Sequence, residues 1–259
     1  MYSHEHKFIY VHIPKSAGTF VKHYLLSNIE SDYAKNQNQQ DYDDKYHVTC
    51  ERALNAIAQD VPDYEDYFKF TVVRNPFDRV VSMFSYLGGW KFDYFVENNI
   101  ESPMMPYVQK FHQYYMSDDF DGFIKYAYEE KAILKFHAGY YENYVDRIKI
   151  NGDIAIDKFY KMENIEGCLY ALKDVFGFSS SSGFDDWRKN SSSEYKKKKS
   201  YRDYYSDYSR EYIEDHFVRD LDYFGYSFND NPKDIYIENK VVSKPKIALC
   251  FSGFIRDID

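Results

Sequence analysis

Residues 7–19 read KFIYVHIPKSAGT. Residues 7–13 form an apolar, β-prone run of the kind that becomes a strand buried on both faces. Pro14 cannot continue a ladder, and Gly18 punctuates the turn that follows. From residue 19 to 29 apolar side chains recur at helical spacing, at Phe20, Val21, Tyr24 and Leu25, so a helix comes next. Strand, loop and helix in that order make the unit from which parallel sheets are wound. Successive backbone N–H groups at such a turn face an anion, and the helix N-terminus adds partial positive charge. Lys15 brings a point charge, Ser16 and Thr19 bring hydroxyls, and Gly18 lets the backbone come close to a ligand. The order is not that of a Walker A loop, whose lysine comes late, after the second glycine. Taken alone, the hexapeptide also reads as an ordinary strand-to-helix turn with a solvated lysine.

The same unit occurs again further on. Residues 68–73, FKFTVV, read as a second buried strand, Arg74-Asn75-Pro76 breaks it, and residues 77–86 read as a helix with Pro76 in its first turn. Arg74 therefore sits at the C-terminal end of a strand, where open α/β sheets bind ligands. A guanidinium there can hold a phosphate bidentately, and Ser82 on the following helix can meet the same group. Arg79 beside Asp78 reads either as part of the site or as a surface ion pair packed at the helix start. Between the two units, residues 31–45 are a polar loop, His47 and Val48 a short strand, and residues 50–59 a helix with Thr49 as its N-cap. Beyond them, residues 88–116 look irregular and aromatic. Helical patterns cover 120–128 and 132–144, a strand covers 158–162, and a helix over 165–176 is closed by Gly177. A serine run over 179–183 is followed by a long amphipathic helix over 201–217. The alternation predicts an α/β fold of three layers, a central parallel sheet flanked by helices.

Composition narrows the function. The 259 residues suit one domain over 1–230, a polar linker over 231–245 and, from the apolar run 246–251, the start of a second, truncated domain at 246–259. A last strand added to the same sheet is the alternative for that run. With 33 Lys and Arg against 42 Asp and Glu the net charge is −9, which argues against a nucleic-acid or anionic-membrane binder. An anionic small ligand needs only a local cluster of donors. Cys50, Cys168 and Cys250 show neither metal-ligand spacing nor a disulfide framework, which fits a reducing compartment. The apolar run near the N-terminus is short and interrupted by His12, so neither a signal peptide nor a membrane span is expected, and a cytoplasmic location is. The 29 Tyr, 21 Phe and 2 Trp suit a packed core and also a sugar-stacking surface.

IPKSAGT followed by VVRNPFDRVVSMFSY resembles the sulfotransferases that use 3′-phosphoadenosine-5′-phosphosulfate (PAPS), specifically the carbohydrate branch that includes the heparan-sulfate 2-O-sulfotransferase type. In that family the first motif binds the 5′-phosphosulfate and the second the 3′-phosphate. The resemblance implies that Lys15, Ser16, Ala17, Gly18 and Thr19, with Phe20 beside them, line the sulfate end, and that Arg74 and Ser82 grip the 3′-phosphate. YKMENI at 160–165 is similar to the family's strand-then-EN segment, and residues 201–228 to its closing helix and FGY-F ending. The likeness runs over roughly 7–228 and is poor over 88–157, where the acceptor would be read. His47, in KYHVTCERAL, stands in a context similar to that of the general base of the 2-O type, with Glu51 as rival base or orienter. A base is needed because a sugar hydroxyl must lose its proton as it attacks sulfur, and imidazole titrates near working pH. Arg188, Lys189 and Asn190 resemble the late basic loop that closes over the nucleotide. The lysines at 196–199 are a solvated face or meet an acidic acceptor.

The implied reaction is in-line displacement at sulfur with adenosine 3′,5′-diphosphate as leaving group and a carbohydrate hydroxyl as acceptor. Lys15 and the loop N–H groups stabilise the growing charge and no metal takes part. Two other readings stay open here. A nucleotide kinase on a similar sheet would prefer ATP over adenosine 3′,5′-diphosphate, and a catalytically silent nucleotide-binding domain would be indifferent to His47→Ala.

Overall fold

Three short apolar runs become the centre of the molecule because their side chains alternate between two buried faces. The computed structural model of the chain describes residues 1–3, 5–29, 49–51, 54, 63–178 and 199–230. In it β1 (Tyr2–Ser3) pairs antiparallel with β2 (Phe8–Val11), and β2 runs parallel to β3 (Phe68–Val73). A separate hairpin joins β4 (Lys149–Ile150) to β5 (Asp153–Ile154), and β6 (Lys158–Lys161) completes the main sheet, parallel to β3. The strand order is β1-β2-β3-β6, with Val11 opposite Thr71 and Val73 opposite Lys161. His47, Arg188, Lys189, Asn190, the linker at 231–245 and the segment 246–259 lie outside the described residues.

As both strand–loop–helix readings expect, α1 (Gly18–Asn28) follows β2 and α2 (Pro76–Ser85) follows β3. Then come α3 (Lys91–Glu97), α4 (Met105–Met116), α5 (Phe120–Ile124) and α6 (Tyr144–Arg147). After them come α7 (Ile165–Phe176), α8 (Asp207–His216) and α9 (Val218–Phe224). On one face of the sheet Phe8, Tyr10, Phe70, Val72 and Tyr160 pack with Val21 and Tyr24 of α1 and Leu169 and Leu172 of α7. On the other face Ile9, Val11, Val73 and Phe159 join Phe77, Val80 and Phe84 of α2 in a larger core. Full burial of each such side chain contributes about 1.5–3 kcal/mol, so the alternation within β2 and β3 fixes the register of both layers. This is the three-layer α/β architecture expected, with a mostly parallel sheet between helices.

Local chemistry sets the ends of the helices. Asn75 caps α2, its Oδ1 accepting from the Phe77 N–H at 3.0 Å with Pro76 at the first position. Asn164 caps α7 through the Gly167 N–H at 3.1 Å, and Gly177 closes it in the left-handed region at φ 66°.

Three expectations are corrected. Residues 88–116 are not irregular: α2 runs on through a π-helical turn, Tyr86–Trp90, straight into α3, and α4 follows. Gly88 and Gly89 hide that helix in the sequence, but a Cβ on Gly88 would lie 2.4 Å from Cβ of Tyr115, so the glycine lets α4 close in. Residues 132–144 do not form one helix but two 3-10 turns, Ala132–Lys135 and Ala138–Tyr140, ahead of α6. The Arg79 guanidinium donates to the carbonyls of Gly139 and Glu142 there and competes with helical bonds. The long helix over 201–217 is split into a 3-10 turn, Tyr201–Tyr204, and α8, because Ser206 caps a fresh start and Tyr205 turns inward to donate to the Phe77 carbonyl at 2.8 Å.

Candidate functional site

The turn between β2 and α1 is held from behind by its carbonyls. Ser16 Oγ donates to the Ile13 carbonyl at 2.7 Å, the Tyr144 hydroxyl to the Pro14 carbonyl at 2.9 Å, and Arg74 Nη1 to the Lys15 carbonyl at 3.2 Å. Three donors thus cover the negative ends of three successive peptide dipoles. The N–H groups of Ser16, Ala17, Gly18 and Thr19 have no acceptor among the described residues, and α1 has no side-chain cap. The turn therefore offers donors on one side only, which is the electrostatic condition for holding an oxyanion. Lys15 and Ala17 are both left-handed, with φ of 65° and 60°. Each such non-glycine residue costs about 1 kcal/mol or more, a strain that persists only because those three bonds over-determine the loop.

Two loop residues behave differently from the sequence expectation. Ser16 is fully buried and its hydroxyl braces the turn rather than facing a ligand. Gly18 has no positive φ; its missing side chain makes room for His12, because a Cβ would fall 1.7 Å from His12 Nε2. Thr19 is exposed on the first turn of α1 and Phe20 is half-buried beside it.

The second unit meets the first at Lys15. Arg74 is almost wholly buried at the end of β3. Its Nε donates to Asp78 Oδ2 at 2.8 Å and Nη2 lies 2.6 Å from the same oxygen, while Nη1 reaches the Lys15 carbonyl. Burial pulls the Arg74 pKa down, but Asp78 outweighs it, so the guanidinium is held even more firmly charged than usual. Lys15 Nζ in turn stands 4.0 Å above the ring of Tyr86, at the far end of α2, a cation–π contact. Ser82 lies on α2 one turn before Tyr86, largely buried, its carbonyl accepting from the Tyr86 N–H. Lys15, Arg74, Asp78 and Tyr86 are thus linked by contact.

Residues 160–165 and 222–228 brace the second turn. Glu163 Oε1 accepts from the Asn75 N–H at 2.7 Å and Oε2 from the Tyr226 hydroxyl at 2.8 Å. Burial raises the Glu163 pKa in spite of these donors. Asn75 Nδ2 also donates to the Ser227 carbonyl at 2.8 Å. The two segments hold Asn75, and through it the start of α2.

Arg79 resolves as a core residue. It is 0 % exposed, its guanidinium 4.0 Å above the Tyr144 ring and 3.9 Å from Asp220. Asp220 accepts from the N–H groups of Tyr144 and Val145 at 2.8 and 2.9 Å, and burial pushes its pKa up to about 6 against the pull of Arg79 and those donors. Of the late lysines, Lys199 is tied to Asp118 at 3.0 Å and lies over Tyr204. Glu51 is exposed at the start of a helix. Tyr86 and Tyr144 are the residues that sequence reasoning passed over. Tyr86 ends the quoted second motif and could have been read as its continuation; Tyr144 carries no local signal.

Among the described residues no cluster of three or more His, Cys, Asp or Glu could hold a metal ion, and no helix is long and apolar enough to cross a membrane. Compared with known families, residues 1–227 match the model described as the Sulfotransferase family. No curated protein and no solved structure matches the chain.

Proposed function

The chain belongs to the sulfotransferase family, and from that premise we propose that it moves a sulfuryl group from PAPS to a hydroxyl of a carbohydrate acceptor. PAPS, when bound, supplies a sulfuryl group already activated on a phosphate leaving group. The observation that carries the reading is the joining of two anion-suited turns: Arg74, from the second, donates to the backbone of Lys15, in the first, at 3.2 Å. A nucleotide charged at both its 3′ and 5′ positions needs two such turns side by side.

The roles follow from the chemistry of each group. Lys15 and the N–H groups of residues 16–19 stabilise negative charge growing on the leaving phosphate, and they need no reorganisation because the carbonyls behind them are already tied down. The Lys15 ammonium, resting on the Tyr86 ring, loses little freedom when it engages an anion. Asp78 holds the Arg74 fork through Nε and Nη2 and the Lys15 carbonyl takes one N–H of Nη1; the second N–H on each terminal nitrogen is the donor assigned to the 3′-phosphate, with the Ser82 hydroxyl as a further donor. His47 takes the acceptor proton, with Glu51 assisting, and Arg188, Lys189 and Asn190 close over the nucleotide.

Calorimetry on the whole chain, with adenosine 3′,5′-diphosphate and Mg-ATP titrated in parallel, tests this. Saturable binding of the first and none of the second is expected. The reverse preference would point to a nucleotide kinase, and no uptake of adenosine 3′,5′-diphosphate would overturn the assignment. Transfer of labelled sulfate from PAPS that is abolished in His47→Ala excludes a silent domain.

A further inference from the structure

The ring beneath the Lys15 ammonium is the first of three. Tyr86, Trp90 and Tyr94 stand four residues apart along the π turn and α3, so they line one side of that continuous helix. Tyr86 stacks on Trp90 with centroids 5.2 Å apart and planes 13° from parallel; Trp90 stacks on Tyr94 at 5.1 Å and 8°. Both faces of Trp90 are therefore covered, and the row offers no flat surface to a ligand. What such stacking does is fix each ring against the next. Tyr86, the half-buried inner ring, is held further. Tyr140 stands edge-on to it, with centroids 6.3 Å apart and planes at 75°. The Tyr86 carbonyl accepts the Lys91 N–H that closes the π turn, a kind of turn frequent at functional sites.

Tyr140 is itself clamped. Arg79 takes the carbonyls of Gly139 and Glu142 on either side of it, and the Tyr140 carbonyl accepts from the Tyr128 hydroxyl at 3.4 Å. Trp90 and Tyr94 differ: they are 37 % and 42 % exposed and add little to the core. A stack of exposed rings whose inner end carries the lysine placed at the sulfuryl end of the site has a use beyond packing. Lysine has a flexible four-carbon stem, and holding its ammonium where charge will develop means that less freedom is lost in the transition state. A ring can hold it only if the ring cannot swing, because the attraction is confined to within about 6 Å of the ring centre. Lys15 Nζ lies 4.0 Å from that centre.

The geometry points to Tyr86 as a fixed seat for the Lys15 ammonium, and to Trp90, stacked on Tyr86, as a positioning residue for sulfuryl transfer. This rests on the sulfotransferase reading above. Trp90 acts through Tyr86 and Lys15 rather than on the ligands. Tyr94 braces the far face of Trp90, and Tyr140 the edge of Tyr86. Loss of Trp90 lets the Tyr86 ring turn about its side-chain bonds, and Lys15 then spends part of its time away from the leaving phosphate. The bound nucleotide, held by the loop N–H groups and Arg74, is not weakened. What suffers is the charge that grows as the sulfur–oxygen bond breaks.

The test follows release of labelled sulfate from PAPS to water by the full chain, which requires no choice of acceptor. Water oxygen bonds to sulfur as the bond from sulfur to the phosphate oxygen breaks, giving sulfate, adenosine 3′,5′-diphosphate and a proton. Trp90→Ala should slow release about three- to tenfold, the worth of one aromatic pair, and Trp90→Phe should restore most of it. Trp90→Leu, which keeps apolar bulk without a flat face, should behave as Trp90→Ala does. All three should bind adenosine 3′,5′-diphosphate as wild type does and melt within about two degrees of it, since the side chain is exposed. In a Lys15→Ala background Trp90→Ala should change nothing further, because its effect passes through Lys15. A merely structural role would slow both backgrounds alike. A second readout needs no turnover. In protein carrying isotope-labelled lysine, one Hε resonance should lie upfield, displaced by the Tyr86 ring current and identified by its absence from Lys15→Ala. Trp90→Ala should move it back toward the other lysines. Equal release by wild type and Trp90→Ala, equal slowing in the Lys15→Ala background, or an Hε resonance left in place by Trp90→Ala overturns the seat. Where the nucleotide binds but release is too slow to read, the Hε resonance decides. A wild type that neither binds adenosine 3′,5′-diphosphate nor releases sulfate sinks the parent reading instead, and the same resonance still judges the seat.

Discussion

Lys15 shows how much a single side chain depends on what holds its backbone. Its own φ is 65°, its carbonyl is taken by Arg74, and its ammonium rests on Tyr86. A cation so placed, in a turn that cannot relax, acts more on a charge that develops during reaction than on one already present. Lys15→Ala is therefore expected to lower kcat for sulfuryl transfer about 10²–10³-fold while weakening adenosine 3′,5′-diphosphate binding far less, read by steady-state kinetics and calorimetry on the same preparation. Full activity in that variant would remove Lys15 from the mechanism. Gly18 makes a second residue-scale case. Because a Cβ would overlap the His12 ring at 1.7 Å, Gly18→Ala should destabilise the fold by about 1–3 kcal/mol in urea titration, the usual cost of overpacking. His12→Ala should relieve most of that loss; if the cost persists in the double variant, the glycine serves the backbone and not the histidine.

The elements are locked to one another by a few buried polar groups rather than by the sheet alone. Arg79 of α2 reaches the carbonyls of Gly139 and Glu142, lies on the Tyr144 ring of α6 and faces Asp220 of α9. Asp220 in turn receives two N–H groups of α6. Removing one partner of a buried pair leaves the other charge uncompensated, so Asp220→Ala should cost about 3–5 kcal/mol, seen as a lowered urea midpoint. Titration gives a separate signature. Burial raises the Asp220 pKa from 3.8 to about 6, so between those values the native state holds a proton that the unfolded chain releases. The contribution of this group is fully present below the unfolded value and is lost as pH rises through about 6. Wild type should lose stability relative to Asp220→Asn over that window; parallel pH profiles would rule the assignment out.

At the scale of the whole molecule, two turns that lie 59 residues apart in sequence converge at Arg74 and Lys15. A ligand that bridges them ties β2–α1 to β3–α2, while the unfolded chain has no such site. Adenosine 3′,5′-diphosphate at a hundredfold excess over its Kd should add about 2.7 kcal/mol of stability, measured as a rise in Tm. The rise should shrink with added salt, since screening weakens the attraction of Lys15 and Arg74 for the two phosphates. A Tm unmoved by saturating nucleotide would mean that the turns do not share it.

The sequence by itself determined both strand–loop–helix units, because period, proline and capping residue act within a few positions: residues 68–73 form β3, and residues 165–176 form α7 with Gly177 left-handed behind it. The hairpin at β4 and β5 was equally legible and went unread, although Asn151-Gly152, with φ of 52° and 91°, is a strong short-range hairpin signal. What only the tertiary structure decided was which of two like residues does which work. Arg74 and Arg79 sit five positions apart in one motif, yet one reaches the loop of Lys15 and the other the core beside Asp220. Ser16 turns inward, Gly18 yields to His12, and Tyr86 begins an aromatic row that composition alone could not distinguish from core. Backbone conformation is set by near neighbours, whereas the partner of a side chain is chosen from segments brought together only by folding, and no local pattern encodes it.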